Sequence, residues 1–262
     1  PDASGTETVL TPENKRKFKL GTSNTVMMDR NLGAYEGAVS IPGTTLERSR
    51  TSGFHYQKGR KDPFPSSYTT EKNMPEVYKF TLSATSPPKH IMNRYEANGI
   101  RAIVPRSISS GATTLQNAYR NPVSISGYTS YSPDENGQWC SEYSSVKWDS
   151  TKTVHDPCPA GWRIPTADDL GVLVSKNTTV SSTAKSDGGM LLKYDDTENR
   201  TYLRFTGYPP LITQLNHVGQ EGYINTMGHK SVFKVSTRSG QNPISIAPFE
   251  DYDAHTTRCV QE

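Results

Sequence analysis

Aliphatic bulk is scarce in this sequence, and that scarcity limits what the chain can fold into more than any other feature. Leu, Ile, Val and Phe together number 46 of 262 residues. At that level a chain of high net charge stays disordered, because it buries too little apolar surface to offset its conformational entropy. The formal net charge here is only +3, however, and 3 Trp, 14 Tyr and 7 Phe supply side chains that each bury a large area. The combination predicts a folded, loop-rich protein with a modest core. Ser and Thr make up 57 residues, beside 20 Gly and 18 Pro, which favours turns and strands over helix bundles.

Several function classes drop out on composition and spacing. No apolar run approaches the ~18 residues of a membrane span, so no transmembrane segment is expected in this chain. Net charge is +3 over residues 1–70, +2 over 71–147 and −2 over 148–262; no segment concentrates base as a nucleic-acid footprint does. Cys140, Cys158 and Cys259 show no CxxC spacing, and the six His residues form no HExxH pair, so neither a metal nor a cofactor is expected. Pro1 heads the chain with no signal peptide behind it, which reads as a processed or trimmed chain in which any export signal is already gone.

Residues 1–17 are polar and read as a lead-in or linker. Phe18–Leu20 and Val26–Met28 read as short strands about a turn, followed by the polar turn Asp29–Gly33. Gly53–Gln57 alternates as a strand does. Residues 66–111 are the least regular part; after them Thr114 caps a short predicted helix, Leu115 to Arg120, which Asn121-Pro122 stops. The clearest helix signal follows Arg163-Ile164-Pro165. Thr166 is an N-cap whose hydroxyl suits the amide of Asp169, Asp168 and Asp169 favour the positive helix end, and Leu170, Leu173 and Val174 share one face. Strand-like runs come next, at 190–194, 201–205, 223–225, 231–235, 244–246 and 258–260. Short strands between Gly, Asn and Pro turns, with one or two helices, predict an antiparallel α+β fold.

Four of these stretches resemble one family. Met28-Asp29-Arg30-Asn31-Leu32-Gly33-Ala34 resembles the opening motif of the Fibrobacter succinogenes major paralogous domain. Phe54 to Pro65 (FHYQKGRKDPFP) is similar to its second motif, with Lys58 where a Trp is usual. Lys152 to Thr166 (KTVHDPCPAGWRIPT) is nearly identical to its signature, and Thr257-Arg258-Cys259-Val260 resembles its terminal motif. The resemblance implies a C-type-lectin-like fold over residues 18–262, with a loop-rich insertion near 66–147, related to formylglycine-generating enzymes and to the variable proteins of diversity-generating retroelements. It also implies an extracellular protein at the bacterial surface, of the kind found at fimbrial tips or on lipoprotein adhesins.

What the resemblance implies about sites follows from the same alignment of motifs. Cys158 and Cys259 sit in the two matching motifs that a lectin-like fold brings together, so a disulfide between them is expected, two buried free thiols being the alternative. The ligand face of the related variable proteins precedes the last strand. Here that window is 207–255, with Tyr208, Asn216, His217, Tyr223, Asn225, His229, Asp251, Tyr252 and His255 as candidate contacts to a host or bacterial surface glycan or protein. Asn and His beside aromatic bodies are adaptable polar contacts. No catalytic residue is assigned: the enzymes of the related family use a cysteine pair near the C-terminus, and only Cys259 lies there. Gln241-Asn242-Pro243-Ile244 does not reproduce a calcium–sugar tripeptide. The competing reading is a structural pilus or surface-assembly subunit that contacts other pilin subunits and no outside ligand. Asp29–Asn31, Arg60–Asp62 and Asp156 read as pairing between loops, and the core is expected around Trp148, Trp162, Leu170 and the last strands.

Overall fold

The computed structural model describes residues 17–65, 95–96, 99–100, 114–120, 140, 143–149, 151–178, 188–197, 199–208, 216–228, 231–249 and 253–262. In chain order the first elements are β1 (Lys17–Lys19), β2 (Val26–Met28), α1 (Thr45–Ser52), β3 (Phe54–Gln57) and β4 (Phe64–Pro65). There follow β5 (Tyr95–Glu96), β6 (Gly99–Ile100), α2 (Leu115–Arg120), α3 (Tyr143–Val146), β7 (Trp162–Arg163) and α4 (Ala167–Lys176). The remainder is strand: β8 (Gly189–Lys193), β9 (Arg200–Arg204), β10 (Glu221–Asn225), β11 (Ser231–Ser236), β12 (Ile244–Pro248), β13 (Ala254–Thr256) and β14 (Val260–Gln261). The fold is α+β, built from short antiparallel strands. No helix among the described residues is long and apolar enough to cross a membrane. Most of the insertion expected near 66–147 lies outside the described residues.

Topology ties the two ends of the chain together. One sheet runs β1-β2-β14-β7, a second β10-β11-β12, a third β13-β3-β4, and β8 pairs with β9. Val260 of the last strand faces Met27 on one side and Arg163 on the other. Cys158 and Cys259, 101 residues apart, are joined by a disulfide with Cα atoms 5.9 Å apart. The loop before β7 is thereby fixed to the final strand.

Local chemistry explains both longer helices. In α4 the Thr166 hydroxyl accepts from the Asp169 amide at 3.1 Å while Asp169 accepts from the Thr166 amide at 2.8 Å, a reciprocal capping box. Asp169 is also held by Arg163 at 2.7 Å, and Leu170 and Leu173 are buried beneath. Helix α1, which apolar periodicity does not reveal, has the same box: Thr44 and Glu47 bond each other's backbone amides. Its T-x-x-E string is the sequence signal for it.

Among the described residues two apolar clusters are the largest; Ala118, Cys140 and Val146 form a smaller one, and Phe64 packs with Ala254 in another. Leu20, Met27, Leu170, Leu173 and side chains of β8 to β12 and β14 form the larger part. Trp148, Cys158, Ile164, Met227 and Cys259 form a second, with Trp162 packed on its edge. The expected single concentration around both Trp residues and Leu170 is thus divided, because the disulfide and the tryptophans plug the signature loop rather than the sheet interior.

Buried polar groups complete the interior, most of them bonded to backbone. Arg258 donates to Asn31 Oδ1 at 3.1 Å, Thr201 Oγ1 at 2.8 Å and the Tyr202 carbonyl at 2.8 Å. Asn31 in turn donates to the Ser52 carbonyl at 3.0 Å. Asp156 accepts from the amides of Cys158 at 2.7 Å and Ile164 at 3.1 Å, holding the signature loop in shape. Arg60 forks onto Asp62 and lies over the Phe64 ring. Lys58 donates to the carbonyls of Gly228 at 2.8 Å and Ser231 at 2.9 Å. Where hydrocarbon is lacking, satisfied polar groups position the loops.

Candidate ligand-binding face

The window 207–255 is organised by the β10–β11 hairpin. Strand alternation gives that hairpin two faces. Gly222 and Ile224 oppose Val235 and Phe233, and Ile224, Phe233 and Val235 enter the larger core. On the other face Glu221 opposes Ser236, and Tyr223 opposes Lys234. These four are buried together. Glu221 accepts hydrogen bonds from the Tyr223 hydroxyl and from Ser236 Oγ at 2.9 Å, and pairs with Lys234 at 3.0 Å and Arg238 at 3.5 Å. Burial alone would raise the Glu221 carboxyl. The bonds from Tyr223, Lys234 and Ser236 outweigh it and hold the group below its ordinary value. Burial and the adjacent carboxylate together push the Tyr223 phenol far up, so this is a fixed anion held by neutral and cationic donors.

Aromatic rings cover this anchored acid. Tyr208 meets Tyr223 edge-on at 5.6 Å and Phe249 at 4.8 Å between centroids, and His255 lies 4.5 Å from Phe249 and 4.8 Å from Tyr223. Burial lowers His255 well below its ordinary value and keeps the ring neutral. Tyr208 and Asn216 exchange backbone bonds at 3.1 and 2.8 Å, and Gly207 makes that approach possible. Its φ is +63°, and a Cβ there would stand 2.0 Å from the Asn216 carbonyl oxygen. His217 adopts φ 58°, the only non-glycine residue with positive φ among those described. Its Nε2 faces Arg238 at 3.1 Å. Arginine only donates, so Nε2 accepts and the ring's proton sits on Nδ1.

The structure therefore sorts the candidate contacts into two groups and leaves three undescribed. Tyr208, Asn216 and His217 are half-buried, at the rim. Tyr223, Asn225 and His255 are buried, which corrects their expected place on a ligand-facing surface. The cause is non-local: β13 and β3 cover β10, and Asn225 Nδ2 donates to the Tyr56 and His255 carbonyls and to Thr257 Oγ1, each at 3.0 Å. Asn225 is a clamp between strands. His229, Asp251 and Tyr252 lie outside the described residues. Sequence reading missed Glu221, Ser236, Lys234, Arg238 and Phe249, although the i, i+2 spacing of Glu221 with Tyr223 and of Lys234 with Ser236 marks a shared polar face. Among the described residues no group of three or more His, Cys, Asp or Glu side chains is arranged to hold a metal ion. Chemically, the arrangement offers a preorganised rim of one phenol, one amide and one imidazole over a rigid base. No family model, curated protein or solved structure matches the chain.

Proposed function

We propose that the chain is a non-enzymatic ligand-binding module of C-type-lectin-like fold at the bacterial surface, the tip or lipoprotein part of an adhesin. It recognises a surface glycan or protein through the rim of Tyr208, Asn216 and His217. The observation that carries this reading is the left-handed, half-exposed His217, whose Nε2 accepts from Arg238 at 3.1 Å and whose carbonyl accepts from the Glu221 amide at 2.9 Å. Strained backbone at a partly exposed polar position is characteristic of binding sites, and a rigid base limits the entropy lost on binding. The meeting of the first and last strands in one sheet, and the disulfide that ties the loop before β7 to the last strand, support the lectin-like architecture. The scaffold also suits diversification of the loops it carries; in a retroelement target, clones of the locus would differ within residues 207–255 and nowhere else.

A glycan array combined with pulldown from bacterial and host surface fractions tests the proposal. Defined glycan or surface-protein hits that Tyr208→Ala or His217→Ala abolishes are expected. Capture of pilin subunits alone, insensitive to both substitutions, would assign the chain to pilus assembly instead.

A further inference from the structure

Strand β12 ends its sheet: the order is β10-β11-β12, and among the described residues β12 pairs with β11 alone. The ladder fixes which of its backbone groups face outward. The Ser236 amide donates to the Pro243 carbonyl at 2.8 Å, which makes Ser236 and Pro243 a hydrogen-bonded pair. Lys234 with Ser245 and Val232 with Ala247 follow in the same register, at the two-residue interval of an antiparallel ladder. The alternate residues, Ile244, Ile246 and Pro248, therefore turn their backbone groups away from β11. The amides and carbonyls of Ile244 and Ile246 make no hydrogen bond among the described residues. Ser245, Ile246 and Ala247 are half-buried and Pro248 is exposed, so the edge meets solvent. Helix α4 packs on the face of this sheet, where Leu170 and Leu173 join Phe233, Val235 and Ile244.

Open edges invite pairing with other chains, and proteins ordinarily guard them with lysine, proline or short length. The edge strand β1 follows that rule, with Lys17 and Lys19 exposed on either side of Phe18. The edge strands β4 and β7 are two residues long. Strand β12 has Pro248 at one end only, and its sequence Ile-Ser-Ile-Ala-Pro carries no charge.

An uncharged antiparallel edge is complementary to itself. A two-fold axis at Ser245 sets Ile244 opposite Ile246 of a second copy, and Ile246 opposite the Ile244 of that copy. Each such pair exchanges both N–H···O=C bonds, which satisfies every outward backbone group of the two isoleucines. A charge on the strand would be set against its own like across the axis, and the strand has none.

We propose that β12 is a self-association edge, to which a second copy of this chain adds its own β12 so that the two three-stranded sheets join. Five residues span ~17 Å, and pairing of that extent buries less than the ~1,200 Å2 of a standard interface. The dimer is accordingly weak, with half-association expected at about 0.1–1 mM. Copies tethered side by side meet at about mM effective concentration, where such a contact forms. The proposal does not depend on the reading of the Tyr208 rim.

Sedimentation velocity of the full chain from about 10 μM to 1 mM, together with amide exchange followed by NMR, tests it. The expected result is a reversible monomer–dimer equilibrium, with exchange of the Ile244 and Ile246 amides slowing as the dimer fills. Ser245→Glu sets like charges together at the axis, while Lys234, its cross-strand neighbour, compensates the carboxylate within each copy. That variant is expected to weaken association at least ~10-fold, and Val39→Glu, the same charge on an exposed loop, to leave it unchanged. Ser245→Cys is expected to give a disulfide-linked dimer on copper–phenanthroline oxidation, which the parent chain, with Cys140 buried, does not. Circular dichroism checks the fold of each variant. A chain that stays monomeric at about 1 mM, a dimer indifferent to Ser245→Glu, or protection of the two amides only when a pilin subunit is added would overturn the proposal.

Discussion

Single buried polar residues do in this protein what aliphatic side chains do in richer cores. Burial pulls the Arg258 guanidinium down to about 10, so it stays charged at neutral pH and directs its fork at Asn31, Thr201 and Tyr202. A lysine ammonium has no planar fork, and buried acceptors left unpaired cost about 1–3 kcal/mol each. Arg258→Lys is accordingly expected to lower unfolding free energy by about 2–4 kcal/mol in urea titration; a change within ~0.5 kcal/mol, the scale of surface substitutions, contradicts that role. The buried histidines act through pH. Burial pulls His55 to about 3 and His255 well below its ordinary value, whereas in the unfolded chain each titrates near 6.5. Their neutral forms thus contribute stability that is complete above about pH 6.5 and falls as pH drops toward the folded values. Each adds a slope of at most about 1.4 kcal/mol per pH unit. His255→Phe keeps a ring among Tyr208, Tyr223 and Phe249 without the proton site. The variant is expected to lose stability less steeply between about pH 6.5 and 4.5 in urea titrations, and an unchanged slope would show that His255 does not contribute.

At the scale of elements, the signature loop and final strand behave as one unit because Cys158–Cys259 joins them and Asp156 shapes the loop. Replacing both cysteines with Ala is expected to cost about 2–4 kcal/mol, and less if the unfolded chain retains structure; a thermal melt unaffected by the double substitution would place the stability elsewhere. Local signals made some elements readable in advance. The Thr166–Asp169 box and the Leu170, Leu173 face specify α4 within ten residues of chain, and α2 covers the segment that Thr114 and Asn121-Pro122 delimit. Helix α1 carries an equally local box at Thr44 and Glu47, but no apolar stripe drew attention to it. The burial of Tyr223, Asn225 and His255 was not legible for a different reason. Alternation identifies β10 as a strand and puts Tyr223 and Asn225 on one face, yet what covers that face arrives from β3, 169 residues away at the Asn225–Tyr56 contact. Exposure is a property of the assembled molecule, and a tyrosine or asparagine is chemically suited to either side.

The described residues comprise several separate apolar clusters, a frame of buried polar groups, and first and last strands that share a sheet. Such a frame fixes side chains at the rim without a thick aliphatic interior, which separates the residues that stabilise the fold from those that bind. That separation is tested most directly by measuring ligand affinity and melting temperature together on four variants. Tyr208→Ala and His217→Ala are predicted to reduce affinity for the captured glycan or protein at least ~10-fold, with melting shifts under about 3 °C. Tyr223→Phe and Asn225→Ala are predicted to lower the melting temperature by more than about 4 °C while the folded fraction keeps its affinity. The reverse pattern, rim substitutions that unfold the protein and buried ones that abolish binding without destabilising it, would contradict the account.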